Sequence, residues 1–154
     1  SYGTVRMEIG EMQEGDVAGL AVFQDPYAFI GVKVIDGQKR LVYTTAPVVS
    51  SAAKSEQIGE VVTEQVIYLR AIANYNTSRA SFYYSLDNKT YTKFGDDLNM
   101  KYDLTVFTGN KFAIFNYATA QTGGYVDVDW FSTEPEKILP WWPIMKIRIR
   151  MSYV

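Results

Sequence analysis

Along much of this chain apolar and polar residues change places at every step, the mark of strands with one buried and one wet face. Residues 4–9 set Val5, Met7 and Ile9 against Thr4, Arg6 and Glu8. Residues 17–23 are apolar nearly throughout, which suits a strand buried on both faces. Gln24-Asp25-Pro26 predicts a turn, because proline has no amide hydrogen for a ladder and its φ is preset. Residues 29–35 and 39–45 predict a hairpin about Asp36-Gly37. Residues 47–57 are small and polar and predict a long loop or an irregular edge. Val66, Tyr68 and Arg70 then alternate with Ile67, Leu69 and Ala71, and residues 80–85 and 90–94 flank an Asp87-Asn88-Lys89 turn. Residues 96–105 have no decisive pattern. Residues 111–117 and 125–131 predict a pair of strands around a Gly-Gly turn. Near the end, Ile144, Lys146, Arg148 and Arg150 alternate with Met145, Ile147, Ile149 and Met151, an amphipathic strand.

Short strands every 8 to 12 residues or so, separated by Gly, Asn and Asp turns, predict an all-β antiparallel sandwich or jelly roll. No segment keeps a helical period, and no repeat of solenoid or propeller length is present. The 154 residues suffice for one domain with its own core. Net charge of −2 gives no case for nucleic acid or an anionic membrane as partner. The absence of Cys excludes disulfides and thiolate chemistry, and the absence of His excludes Ser-His-Asp catalysis and His-ligated zinc. No apolar run approaches the roughly 20 residues that span a bilayer. The opening SYGTVRMEIGEM lacks the basic-then-apolar order of a signal peptide.

Aromatic residues make up 15% of the chain, with 12 tyrosines, which leaves rings over for a surface. A sugar-binding surface needs an apolar ring platform with a few placed amides or carboxylates. The candidates are Phe23, Tyr27 and Phe29 around the Asp25-Pro26 turn, and Phe107, Asn116, Tyr117 and Tyr125 in residues 107–131. Against this, alternating aromatics usually fill a core, and Phe29, Phe112 and Phe115 are expected there. Trp141-Trp142, held extended between Pro140 and Pro143, reads as a linker packed on its own domain or as an exposed patch. Asp127 and Asp129 share one strand face, either as the solvent side of an edge strand or as ligands of a structural calcium ion. Glu8, Glu11, Glu14 and Asp16 read as solvated turn carboxylates, because their spacing specifies no pair across a scissile bond. Asn88-Lys89-Thr90 is a formal glycosylation sequon that reads here as a hairpin turn.

Three ordered blocks carry a resemblance. GDVAGLAVFQDPYAFIGVKV (residues 15–34), VIYLRAIANYNTSRASFYYSLDNKTYTKFG (66–95) and FTGNKFAIFNYATAQTGGYVDVDWF (107–131) resemble the C-terminal concanavalin A-like, xylan-binding type β-sandwich of family 43 glycoside hydrolases. Those enzymes are β-xylosidases and α-arabinofuranosidases. The resemblance implies a sandwich module over residues 1–131, without the family's N-terminal strands and without the catalytic propeller. Residues 132–154 lie outside it. They are expected to fill part of the sheet as an added strand, to pair with a second copy, or to belong to a neighbouring domain. The family's catalytic carboxylates sit on the propeller, so no catalytic residue is carried onto this chain. The implied function is a non-catalytic accessory module binding xylan, arabinoxylan or xylo-oligosaccharides through Tyr27, Phe107, Asn116, Tyr117 and Tyr125. The alternative is a structural domain that supports the propeller. In the two-domain enzymes a sandwich loop lends an aromatic to the rim of the propeller's active site, and Phe107 matches that position. Secretion from a bacterium, no required cofactor beyond a structural calcium at Asp127 and Asp129, and a homodimer through exposed strand edges complete the expectation.

Overall fold

The computed structural model describes residues 1–48, 50–101, 111–133 and 146–152. Among them every regular element is a strand: β1 (Tyr2–Glu8), β2 (Val17–Phe23), β3 (Tyr27–Ile35), β4 (Gln38–Ala46), β5 (Ser55–Val61) and β6 (Val66–Asn74) come first. They are followed by β7 (Arg79–Ser85), β8 (Thr92–Lys93), β9 (Leu98–Asn99), β10 (Lys111–Tyr117), β11 (Tyr125–Ser132) and β12 (Ile147–Arg150). A long sheet runs β12-β11-β1-β6-β7-β8 with β9 also on β7, and a short sheet runs β10-β2-β3-β4-β5. The described strand pairs are antiparallel, and the two sheets face each other as a sandwich.

Alternation decides what lies between the sheets. Val5 and Met7 of β1, Ile67 and Leu69 of β6 and Phe82 of β7 meet Leu20, Val22, Ile30, Val32 and Leu41 from the short sheet, all buried. Each such side chain contributes about 1.5–3 kcal/mol by leaving water. The Asp36-Gly37 hairpin forms as expected, with φ of 52° and 75°, the two positive values a type I′ turn needs. Glu14 accepts hydrogen bonds from both turn amides, each at 2.8 Å.

Three expectations are corrected, and one open alternative is decided. Residues 111–117 and 125–131 do not pair with each other: β10 joins β2 in the short sheet, and β11 joins β1 and β12 in the long one. The Gly-Gly segment therefore crosses between layers, and Gly124 lies so close to the Asp16 carboxylate that a side chain would collide with it. Of the two readings of residues 47–57, the irregular edge holds for their latter part: Ser55 opens β5, an edge strand polar and exposed along most of its length, with a register shift against β4. Asp16 is not a solvated turn carboxylate. It is fully buried, accepts the Gln13 amide at 2.7 Å, and burial pushes its carboxyl above the usual range. Finally, Phe112 packs on the main core, but Phe29 and Phe115 lie outside it, in a second cluster on the far face of the short sheet.

The tail supplies a strand. Residues of β12 pair with β11 from Tyr125–Arg150 to Val128–Ile147. Two bonds tie it to the short sheet as well: Asn116 Nδ2 donates to the Ile149 carbonyl at 3.0 Å, and the Ala118 amide to that of Ser152 at 2.9 Å.

Candidate functional site

On the outer face of the short sheet, register alone sets out the side chains in rows. One row runs Ala113–Ala21–Phe29–Thr44–Glu56 across β10, β2, β3, β4 and β5. The next runs Phe115–Gly19–Gly31–Val42–Ile58. Gly19 and Gly31 are partners, and a Cβ on either would run into the other strand's backbone, so only glycine permits this approach. With two alanines in one row and two glycines in the next, the middle of the face is low and the aromatic rings stand above it.

The result is an open groove of about 660 Å³, floored by Ala21 and Ala113 and walled by Phe23, Tyr27, Phe29, Phe115 and Tyr117, with Lys54 and Thr119 at its rim. Phe29 and Phe115 rings pack at 4.5 Å between centroids, Phe115 and Tyr117 stack at 6.0 Å with planes 24° apart, and Phe23 and Tyr27 meet at 5.9 Å. Phe23 is 45% exposed whereas Tyr27 is 8%, so the rings grade from open to nearly covered. Burial, then the nearby Glu56 carboxylate and Tyr27, pushes the Tyr117 hydroxyl above the ordinary tyrosine value. An apolar trough with rings on both sides and polar groups only at its ends is suited to ring stacking on a flat, weakly polar ligand face.

The outer face of the long sheet is built from the same alternation but filled differently. The β1–β11 ladder steps from Arg6–Trp130 to Met7–Val128, so Asp129 is the extra residue of a β-bulge that brings its carboxylate onto Arg6. Asp127 accepts from Arg148 Nε at 2.9 Å and Nη2 at 3.1 Å, and this guanidinium holds its carboxyl below the usual range. Lys146 binds both oxygens of Glu8, at 2.8 and 2.7 Å. The Arg70 guanidinium lies 3.6 Å from the Tyr91 ring and gives a hydrogen bond to Thr4 Oγ1 at 2.8 Å.

A profile of the β-xylosidase C-terminal concanavalin A-like domain matches residues 2–134. The chain belongs to this family. A β-xylosidase of Formosa agariphila is 23% identical over 127 residues, covering 82% of this chain and 20% of that protein. Among solved structures, a bifunctional GH43-CE protein of Bacteroides eggerthii superposes with a TM-score of 0.78 and 38% identity, over 85% of this chain and 17% of the other. A GH43 glycoside hydrolase whose engineered active site displays endo-xylanase and exo-arabinofuranosidase activity also gives 0.78, with 31% identity over 85% of this chain and 28% of that one. A GH43 protein of Bacillus licheniformis shares the fold, with a TM-score of 0.67 at 17% identity over 84% of this chain and 26% of the other. The chain thus spans a fifth of the curated relative and less than a third of each of these structures. It corresponds to the C-terminal domain of GH43 enzymes and is an all-β concanavalin A-like sandwich.

Within this GH43 sandwich, Tyr27 and Tyr117 come together in the groove. Asn116 does not: its side chain points to the sandwich interior and bonds the tail. Tyr125 is on the other sheet, beside a polar cleft with Glu8, Glu11 and Lys146, and its ring is covered by Arg148 at 4.1 Å. Phe107 lies outside the described residues, as do Trp141 and Trp142. Asp127 and Asp129 share a face, but on an interior strand, and their partners are cations. That arrangement does not fit a calcium site, and among the described residues no three His, Cys, Asp or Glu side chains are placed to hold a metal ion. Phe115 and Lys54 line the groove without having been expected there. Phe115 had a signal, since it lies two residues before Tyr117 on the same strand face; Lys54, in a polar loop, had none.

Proposed function

We propose that this GH43 domain is a non-catalytic carbohydrate-binding accessory module that holds xylan or arabinoxylan chains in the groove of the short sheet. The observation that carries the reading is the convergence of five aromatic rings over a floor of alanines, at strand positions fixed by the core behind them. Pyranose and furanose rings present C–H faces to such a platform, and Lys54 and Thr119 among its lining residues offer polar groups to sugar hydroxyls. The catalytic work belongs to the remainder of a longer enzyme, and the polysaccharide substrate implies an extracellular setting.

Calorimetric titration with xylo-oligosaccharides and arabinoxylan, with cello-oligosaccharides as control, tests the reading. Saturable heat with the xylan ligands that is lost in Tyr117→Ala supports it. One observation favours a second reading, a structural domain that supports the propeller: Tyr27 and Phe29 are only 8% and 7% exposed, covered within the domain itself and largely withheld from a ligand. A folded sample that gives no heat with any glycan would establish that alternative.

A further inference from the structure

Resting on the glycan reading of the groove, we propose that its preferred ligand carries carboxylates: a uronate-substituted β-linked glycan in place of a neutral one. The chain is net negative at −2, yet the outer face of the short sheet is not. At its strand positions Lys33, Arg40 and Lys111 stand against one carboxylate, Glu56. Lys33 already neutralises Glu56, with contacts at 3.0 and 3.3 Å, and Arg40 gives a hydrogen bond to the Gly59 carbonyl at 3.1 Å. Two ammonium groups are left over. Lys54 lines the groove, and Lys111 is the register partner of Phe23, on the same face as its most exposed ring. Neither forms an ion pair or side-chain hydrogen bond among the described residues.

On the long sheet Arg6, Lys146 and Arg148 are engaged by Asp129, Glu8 and Asp127. Unpaired ammonium groups thus flank the aromatic trough, Lys54 lining it and Lys111 beside Phe23. Rings grip the sugar backbone, and lysines on flexible stems meet a carboxylate that stands off it as a side group. Such point charges tolerate variable branch positions, which a bidentate arginine would not.

The test is calorimetric titration of the folded domain with 4-O-methylglucuronoxylan oligosaccharides and with unsubstituted xylo-oligosaccharides of equal backbone length. At low salt the uronate-bearing ligand is expected to bind about fivefold more tightly, the upper range for an exposed ion pair. That ratio is expected to fall toward one in concentrated salt and in Lys54→Gln/Lys111→Gln, while Lys89→Gln, in the distant β7–β8 turn, keeps it. Equal affinity for the two ligands, or a preference that survives the double substitution, overturns the inference and leaves the glycan reading intact. No heat with either ligand overturns the glycan reading and this inference with it.

Discussion

The two outer faces of the sandwich start from one rule and end as different surfaces. On the long sheet, outward positions are filled by Arg6, Glu8, Asp127, Asp129 and Arg148, and these meet their partners within the sheet. On the short sheet, outward positions are filled by Phe29, Phe115 and Tyr117 around glycines and alanines; these rings pack on one another, and Phe23 beside them stays 45% exposed. A closed charge ladder has little left to offer a ligand. An aromatic trough has not used up its apolar surface, and a ring buries on the order of 150–250 Å² when fully covered. What separates a wall from a binding face is thus whether outward side chains satisfy one another.

Substitutions can break this contrast in turn. The largest effect is expected at Gly31→Val, whose side chain would meet the Ala18 carbonyl: a loss of about 3 kcal/mol in chemical denaturation, with glycan binding lost alongside. Tyr117→Ala should lower xylan affinity at least tenfold, roughly 1.4 kcal/mol or more by calorimetry, while the fold persists by circular dichroism. Arg70→Met should do the reverse. It removes the Tyr91 stack and the Thr4 hydrogen bond, costs about 1 kcal/mol of stability, and leaves glycan titrations unchanged. The smallest effect is expected at Asp127→Asn. The folded-state pKa of Asp127 is depressed, so its contribution is present above the ordinary carboxylate value of about 3.9 and is lost as pH falls through the lower folded value. Thermal melts of variant and wild type should therefore differ slightly at neutral pH and converge in acid.

Much of this fold was legible because alternation reports parity directly. Val66, Tyr68 and Arg70 did separate from Ile67, Leu69 and Ala71, and the Asp36-Gly37 turn followed from the positive φ it demands. Parity does not say which face is inside when both are apolar, so Phe29 and Phe115 were assigned to the wrong layer. Nor does local sequence say which sheet a strand joins. β10 and β11 are neighbours in the chain, yet their partners are β2 and β1, between 88 and 128 positions earlier, and that separation put Tyr117 and Tyr125 on different surfaces. β5 was legible only as a loop or an irregular edge, because an edge strand paired on one side and wet on both faces has no reason to alternate.

The position of β1 has a consequence for how the chain comes to be folded. It is an interior strand of the long sheet, flanked by β6 on one side and β11 on the other, with Thr4 opposite both Arg70 and Ser132. Its second edge is therefore covered only once β11, 119 to 128 positions later in the chain, has come back to it. Pairings this distant in sequence fold slowly, on the order of milliseconds to seconds, and until then β1 presents an open edge to any other chain. Ending the polypeptide before residue 125, and so removing β11, should accordingly yield aggregate, because the strand it leaves bare belongs at the centre of a sheet.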